Sequence, residues 1–267
     1  MNLRIISALV LRYLYLYTRS PMRLIELVFW PVVDLVVWGT LTMSIQRHTT
    51  PEFGHKFLFL IGGMILWDVL FRAQQGVAIS FLEDVWTRNL LNVFVAPVRT
   101  AEYVAATFIV GLMRIFVTVL VLSSLAAVAY QFNVFSMQWS LIPFFVNLLV
   151  FGWSLGMIST ALILRWGQAA ESLAWAVPFF IQPIVCVFYG VNDLPAWSRP
   201  LALAMPATHV FEGMRAVLEP GAQGVPWQSM GYAVLLNIVF MSIAAGIFAW
   251  MLNTTKKRGL LTKFATQ

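Results

Sequence analysis

Long apolar stretches separated by short polar segments make up most of this 267-residue chain. A helix needs about 20 predominantly apolar residues to cross the hydrocarbon layer of a bilayer, which is about 30 Å thick. Helices also satisfy their own backbone hydrogen bonds inside the bilayer. The pattern therefore predicts an all-α polytopic membrane protein with a single transmembrane domain over residues 1–267. The six predicted spans are residues 25–45, 57–81, 103–130, 140–164, 172–191 and 229–252.

The composition narrows the possible function classes. The chain is 60% hydrophobic and 10% charged, whereas soluble domains average about 45–50% apolar and about 25% charged residues. One cysteine and three scattered histidines exclude a disulfide within the chain and a multi-cysteine metal centre. No Gly-Lys pair occurs, so the sequence has no phosphate-binding loop of the G-x-x-x-x-G-K-[ST] type. We expect no cofactor, no nucleic-acid partner and no enzymatic activity on this chain.

The distribution of basic residues predicts the orientation. The segments before the first span, after the second, after the fourth and after the sixth hold eleven of the 17 Lys and Arg residues, against four on the opposite side. Under the positive-inside rule both termini are expected in the cytoplasm. We expect a multi-pass protein of the cytoplasmic (inner) membrane. Tyr and Trp residues near span ends, among them Tyr13, Tyr17 and Tyr103, are expected in the aromatic belt at the lipid headgroups.

Residues 1–20 are predicted to form a helix that lies in the cytoplasmic headgroup region. The side chains of Arg4, Arg12 and Arg19 fall on one arc at 100° per residue, on a helix otherwise rich in apolar residues. Such a helix turns its basic residues toward lipid phosphates or toward a partner. The alternative is an ordinary basic N-terminus that only orients the first span.

Residues 83–97 are half apolar but too polar at their start to cross the bilayer. A short helix here, ended by Pro97, is typical of an element that a soluble partner grips. The alternative is a solvated connector that lies on the headgroups. Under the docking interpretation, charge reversal at Glu83 and Asp84 is expected to disturb docking without unfolding the protein.

Five prolines divide the loop between the last two predicted spans into pieces too short to cross the membrane. This predicts an outer re-entrant segment over residues 194–221, buried in protein rather than exposed to lipid. His209, Glu212 and Arg215 are spaced three apart and share one helix face. A local ion pair between Glu212 and Arg215 is favoured over a ligand site.

Charges inside the predicted spans need a reason, because each costs about 2.5–3.5 kcal/mol on insertion scales. Asp34, Asp68 and Arg72 are such residues, and the spacing of Asp68 and Arg72 favours a mutual ion pair over a proton relay. The sequence G-W-S-L-G at residues 152–156 fits both a hydrolase nucleophile elbow around Ser154 and a G-x-x-x-G helix-packing motif. Because it lies within a predicted span, we favour helix packing.

Two motifs resemble those of type-2 ABC exporter permeases. The first is similar to R-x-x-L…x-P-[VL]-x-x-x-E and consists of Arg88-Asn89-Leu90-Leu91, Ala96-Pro97-Val98 and Ala101-Glu102. The second is similar to L-P-x-W…N-P-x-T…x-E-[GA]-x-R and consists of Leu194-Pro195-Ala196-Trp197, Met205-Pro206-Ala207-Thr208 and Phe211-Glu212-Gly213-Met214-Arg215. Met205 stands where the family usually has Asn, so that capping side chain is absent. With the six predicted spans, the resemblance covers nearly the whole chain.

The resemblance implies a permease homodimer, in contact with membrane lipids and with two copies of an ABC ATPase subunit that would bind ATP and Mg²⁺. The exported substrate would be an amphiphile: a lipid-linked glycan, a lipo-oligosaccharide or a hydrophobic drug-like molecule. Residues 83–97 would be the coupling helix, and His209, Glu212 and Arg215 would belong to the outer gate. The residues implied in ATPase docking are Glu83, Asp84, Trp86, Arg88, Leu90 and Leu91.

The rival interpretation is a proton-coupled secondary transporter that uses Asp68 and Arg72. Such transporters place ionisable residues near the bilayer midplane, usually within internally repeated halves. We find no convincing repeat between the two halves of this sequence. Under this interpretation, Asp68→Asn is expected to abolish transport.

Overall fold

The computed structural model of the protein describes residues 2–48, 58–87, 89–219 and 224–257. Arg88, one of the predicted docking residues, lies outside these ranges, as do residues 220–221 of the predicted outer segment and the end of the basic tail. Within the described ranges the chain forms helices, turns and irregular segments, with no β-strand. This confirms the predicted all-α class.

The α-helices are numbered in chain order. Their bounds are α1 Leu3–Thr18, α2 Pro21–His48, α3 Leu58–Trp86, α4 Leu90–Val95, α5 Thr100–Tyr130, α6 Leu141–Trp166, α7 Glu171–Ile181, α8 Arg199–Leu203, α9 Pro206–Leu218 and α10 Trp227–Lys257. Short 3₁₀ helices lie at Val134–Ser140, Gly167–Ala170 and Val191–Asp193.

Four helical segments in the described ranges are long and apolar enough to cross a membrane. They are α2, α5, α6 together with the 3₁₀ turn before it, and α10. These helices correspond to the predicted first, third, fourth and sixth spans. Helix α3, which matches the predicted second span, has 29 residues but is not among the four. Its middle carries the polar residues Asp68, Arg72, Gln74 and Gln75.

Helix α3 lies at the centre of the bundle. Every side chain from Leu60 to Val85 is buried except those of Phe71 and Ile79, which are half-buried. Its main neighbours are α6, α5 and α2. Both of the larger hydrophobic clusters include residues of α3, one around Leu70 and the other around Phe81. The polar residues of α3 are therefore surrounded by neighbouring helices and not by water.

The predicted fifth span, residues 172–191, is not one spanning helix. Helix α7 has 11 residues, which is about 16 Å of helix against about 30 Å of hydrocarbon. Pro178 lies inside α7, Pro183 follows its end, and turns continue to Tyr189. Proline lacks the backbone N–H that would continue a helix and clashes with the preceding turn. The prediction of a continuous span was wrong because it weighed apolar content over the two prolines.

Glycines allow α6 to approach α3 closely. A Cβ atom on Gly152 would lie 2.5 Å from Ala73 Cβ and 2.6 Å from the Leu70 carbonyl oxygen, and one on Gly156 would lie 2.7 Å from the Gln74 carbonyl oxygen. The Ser154 hydroxyl between them donates to the Val150 carbonyl of its own helix at 2.9 Å. The G-x-x-x-G segment is therefore a helix-packing motif, as predicted.

The segment 83–97 is divided between two elements, which differs from the single helix that the sequence predicts. Helix α3 continues through Glu83 and Asp84 to Trp86, and the amide of Asn89 closes its end by donating to the Asp84 carbonyl at 2.9 Å. The short helix α4 then begins at Leu90. Helix α4 is a separate short element, and its Val93 packs against the bundle.

Candidate functional site

Helices α1, α2 and α5 all meet the C-terminal end of α3 at two adjacent carboxylates. We call this group the Glu83–Asp84 cluster. It consists of Glu83 and Asp84 with Arg12, Tyr13, Tyr17, Arg23, Tyr103 and Arg114. The carboxylates share one short stretch of α3, whereas their partners come from sequence positions far from them. The cluster therefore ties the N-terminal helix to the centre of the bundle.

Asp84 is almost completely buried and has three partners. The hydroxyl of Tyr13 donates to its Oδ2 at 2.7 Å and that of Tyr103 at 3.0 Å. Arg12 forms an ion pair with the other oxygen. Burial of a carboxylate is tolerated only when its lone pairs are satisfied and its charge is balanced. Burial, followed by the nearby Asp84 charge, raises the pKa of Tyr13 above its ordinary value, so this phenol remains a neutral donor.

Glu83 joins α2 and α5 to the same place. Arg23 Nη1 donates to its Oε1 at 2.9 Å, and Arg114 Nη2 lies 3.8 Å from its Oε2. The Arg114 guanidinium also stacks over the ring of Tyr17, 4.6 Å from the ring centroid. Burial raises the pKa of Tyr17 to about 12. Three arginines thus face two carboxylates. The Tyr17 ring provides an additional favourable contact for the Arg114 cation.

The buried position of Glu83 and Asp84 corrects the prediction that they offer a docking face. Both residues are buried, so we expect charge reversal there to break buried ion pairs and to destabilise the fold. Trp86 is 45% exposed, with its indole N–H donating to Glu171 Oε2 at 3.2 Å. Leu90 and Leu91 begin α4, whose exposed residues include Asn92 and Val95. Docking on α4 itself stays a prediction.

The tyrosines of the cluster were not predicted as a site. Tyr13 and Tyr103 were expected in the aromatic belt, but both are buried, with 0% and 2% exposure. Tyr13 and Tyr17 are four residues apart on one face of α1, next to Arg12. This spacing of hydroxyl donors beside an arginine could have predicted a polar network on that face. The identity of their partner could not be predicted, because Asp84 lies 71 residues from Tyr13 in sequence.

The outer segment contains the predicted ion pair. Arg215 Nη2 lies 2.8 Å from Glu212 Oε1, which also accepts from the Val191 amide at 2.9 Å. Arg215 Nη1 donates to the Cys186 carbonyl at 2.8 Å. His209 does not join them, because its Nε2 lies 2.9 Å from the Leu203 carbonyl at the end of α8. The pair fastens α9 to the turns that follow α7.

Two of the three charges predicted inside the membrane, Asp68 and Arg72, form the pair predicted on α3. Arg72 Nε donates to Asp68 Oδ1 at 3.2 Å, and both side chains are buried. Asp34 on α2 interacts electrostatically with both of them but is itself exposed at the surface of this single chain. A second polar contact lies nearby in the bundle, where the Asn237 amide donates to Asn147 Oδ1 at 2.9 Å. Within the described part of the chain, these pairs leave some buried atoms without a hydrogen-bond partner, among them Asp68 Oδ2 and Asn237 Oδ1.

Among the described residues, no group of three or more His, Cys, Asp and Glu side chains could hold a metal ion. The ion pairs and hydrogen bonds of the Glu83–Asp84 cluster hold helices α1, α2, α3 and α5 together.

Comparison with known proteins gives weak but consistent similarities. No family model matches the chain. The chain is 26% identical over 162 residues to the protein named Inner membrane transport permease YadH of Escherichia coli K12, a match that covers 59% of this chain and 60% of the relative. The YadH proteins of Escherichia coli O157:H7 and Shigella flexneri match to the same extent. The matched region is thus about three fifths of the length of these relatives. The chain is a multi-pass helical membrane protein that is similar over this region to inner membrane transport permeases.

Proposed function

We propose that this chain is the permease subunit of an ATP-driven ABC exporter of the inner membrane. It would move an amphiphilic substrate outward, either a lipid-linked glycan, a lipo-oligosaccharide or a hydrophobic drug-like molecule. The similarity to proteins named transport permeases supports the transport role. The observation that supports ATP-driven coupling is the Glu83–Asp84 cluster, which braces the end of α3 directly before the short helix α4, where Asn92 and Val95 are exposed.

The bracing gives α4 a mechanical connection to the bundle. A displacement of α4 by a soluble ATPase would pass to α3 through Asn89, whose amide donates to the Asp84 carbonyl. From α3 it would reach α1, α2 and α5 through the ion pairs of Glu83 and Asp84. Helix α6 would follow, because its glycines lie against α3 with no space between the backbones. The bundle would thus move as a body against a second permease copy.

In this proposal the energy source lies on two copies of a separate ATPase subunit, which would bind ATP and Mg²⁺. A second copy of this chain would complete the transport path. The exposed apolar side chains of α2 and α10, such as Phe29, Trp30, Leu235 and Trp250, would face lipid or that second copy. Both termini would lie in the cytoplasm.

The first test is purification of the tagged protein from its native membrane in mild detergent, followed by mass spectrometry and an ATPase assay. We expect a stoichiometric partner that carries a phosphate-binding loop, together with vanadate-sensitive ATP hydrolysis. A preparation without any nucleotide-binding partner would contradict the proposal.

The second test changes the exposed face of α4. Val95 is 77% exposed, so Val95→Asp is expected to leave the thermal unfolding midpoint unchanged while it weakens ATPase co-purification. The matched control is Asn253→Asp, which introduces the same charge at an exposed position near the end of α10. Equal loss of the ATPase in both variants, or in neither, would count against docking on α4.

The second candidate function is proton-coupled transport through Asp68 and Arg72. The observation in its favour is that Asp34, Asp68 and Arg72 interact where α2 meets α3. In inverted membrane vesicles, accumulation of a fluorescent amphiphilic dye with ATP present and the pH gradient collapsed by a protonophore would favour the exporter. Accumulation that stops with the protonophore, and that Asp68→Asn abolishes, would favour the secondary transporter.

A further inference from the structure

A pocket of about 410 Å³ lies between one face of α1 and the segment that follows α4. Its walls are apolar and are formed by Ile5 and Leu9 of α1 together with Pro97 and Val98. The side chains of Arg4 and Arg12 also line it. These arginines are eight residues apart on α1, which is about 12 Å along the helix. The two arginines therefore lie on either side of the apolar wall and do not converge on a single point.

Arg4 supplies a positive charge at this pocket that no acidic side chain of the described residues pairs with. Arg12, in contrast, shares its charge with Asp84. The acidic group on the facing element is Glu102, which accepts from the Asn2 amide at 2.6 Å and from the Arg99 amide at 3.0 Å. Its carboxylate is thus bound to two backbone donors, one at the start of α1 and one at the start of α5. The pocket presents a cation beside an apolar wall.

The pocket is preformed. Tyr13 and Arg12 fix α1 to Asp84, and Ile6, Leu9 and Val10 pack against Ala106 and Val110 of α5. Val98 of the facing wall packs against the same hydrophobic cluster. A ligand would therefore bind without ordering the helix first, which lowers the entropy cost of binding.

We propose that this pocket binds one anionic phospholipid of the cytoplasmic leaflet. The phosphate would contact the guanidinium of Arg4, and the acyl chain would lie along Ile5, Leu9 and Val98. Charge-assisted hydrogen bonds from arginine to phosphate are strong, and basic pockets on the cytoplasmic side of membrane proteins are suited to acidic headgroups. The apolar walls favour a lipid over a free phosphate ion. The inference depends on the membrane placement and predicted orientation of the chain, and not on ATP-driven export.

The test measures lipid retention by the full chain in phosphatidylcholine nanodiscs with or without phosphatidylglycerol, using native mass spectrometry. We expect one phosphatidylglycerol to be retained in preference to phosphatidylcholine. Arg4→Gln should weaken this retention about tenfold, which corresponds to the loss of one hydrogen bond to a charged group. The matched control is Arg19→Gln, which removes the same charge from the residue that caps the end of α1. Arg19 lies beside the Tyr15 ring, outside the pocket, and its loss should leave retention unchanged.

A second variant tests the pocket without changing its charge. Ala8 lines the pocket and is exposed, so Ala8→Trp should fill it, prevent retention and leave the thermal unfolding midpoint intact. Equal losses in Arg4→Gln and Arg19→Gln would overturn the proposal, since they would indicate diffuse attraction to an anionic surface. Equal retention of the two lipids would also overturn it. So would loss of an acidic protein partner in Arg4→Gln with lipid retention unchanged.

Discussion

At the residue scale, Asp84 shows how a charge is kept inside the end of a membrane bundle. Its carboxylate is 2% exposed, and it is held by two tyrosine hydroxyls and one guanidinium. The sequence indicated that the acidic residues after the second predicted span would be exposed, because polar residues that follow an apolar stretch usually reach water. Tertiary contacts reversed this outcome, since α1 folds back over the end of α3 and brings the partners that a buried carboxylate needs.

The contribution of these hydroxyls can be measured with Tyr103→Phe. The change removes one donor from a buried carboxylate, and hydrogen bonds to charged groups contribute about 1.5–3 kcal/mol. We expect a lower thermal unfolding midpoint in detergent for this variant. Tyr130→Phe is the control, because its hydroxyl donates to the Val36 carbonyl at 3.3 Å in an accessible position. A midpoint for Tyr103→Phe equal to that of the control would contradict the role given to the cluster.

The single cysteine reports on the outer segment. The Cys186 side chain is buried, and its carbonyl accepts from Arg215. We expect Arg215→Gln to release the turns after α7 and to increase the rate of maleimide labelling of Cys186 in detergent micelles. Arg199→Gln is the control, because Arg199 donates to the carbonyls of Asn192 and Leu194 and not to Cys186. Equal labelling of Cys186 in both variants would show that the Arg215 bond does not protect this thiol.

At the element scale, the contact of α3 with α6 depends on glycine. Gly152→Ala would place a Cβ atom 2.5 Å from Ala73 Cβ, and overpacking of this kind costs about 1–3 kcal/mol. Gly246→Ala is a matched control on α10, where no atom lies within 4 Å of the new Cβ. We expect the first variant to lower the unfolding midpoint, and the second to leave it unchanged or raise it, since alanine favours helix. Similar midpoints would show that α3 and α6 can separate without cost.

The elements that the sequence predicted well are those with long, uniform apolar character. Helices α2, α5, α6 and α10 fall on the predicted spans to within a few residues, because hydrophobicity over 20 or more residues leaves few alternatives. Residues 172–191 have similar apolar content, but Pro178 and Pro183 determine where the helix ends. Hydrophobicity alone therefore does not distinguish a spanning helix from a shorter helix followed by turns. In this segment the prolines make that difference.

At the scale of the whole molecule, the candidate site could be predicted only in part. The ion pairs between Asp68 and Arg72 and between Glu212 and Arg215 follow from spacing within one helix, and the structure contains both. The Glu83–Asp84 cluster joins residues that are 60 to 72 residues apart in its α1–α3 and α2–α3 contacts. Such pairings depend on which helices become neighbours, and a single sequence does not carry that information.

The burial of α3 has a consequence for how the protein enters the membrane. Asp68 and Arg72 would each cost about 2.5–3.5 kcal/mol at the centre of a helix surrounded by lipid, so α3 is poorly suited to partition alone as it leaves the translocation machinery. Its neighbours α5 and α6 are synthesised later, and they provide the protein surroundings that α3 needs. We expect a chain truncated after Trp86 to integrate α3 inefficiently in a glycosylation-mapping assay, and a chain extended to Trp166 to integrate it fully.

Replacing both Asp68 and Arg72 with Leu should remove this dependence on length. Equal integration of α3 in the short and long wild-type chains would contradict the expectation. Biogenesis of this protein would then proceed helix by helix, whereas the structure favours cooperative insertion in which the central helix is accepted only after its surrounding helices have been made.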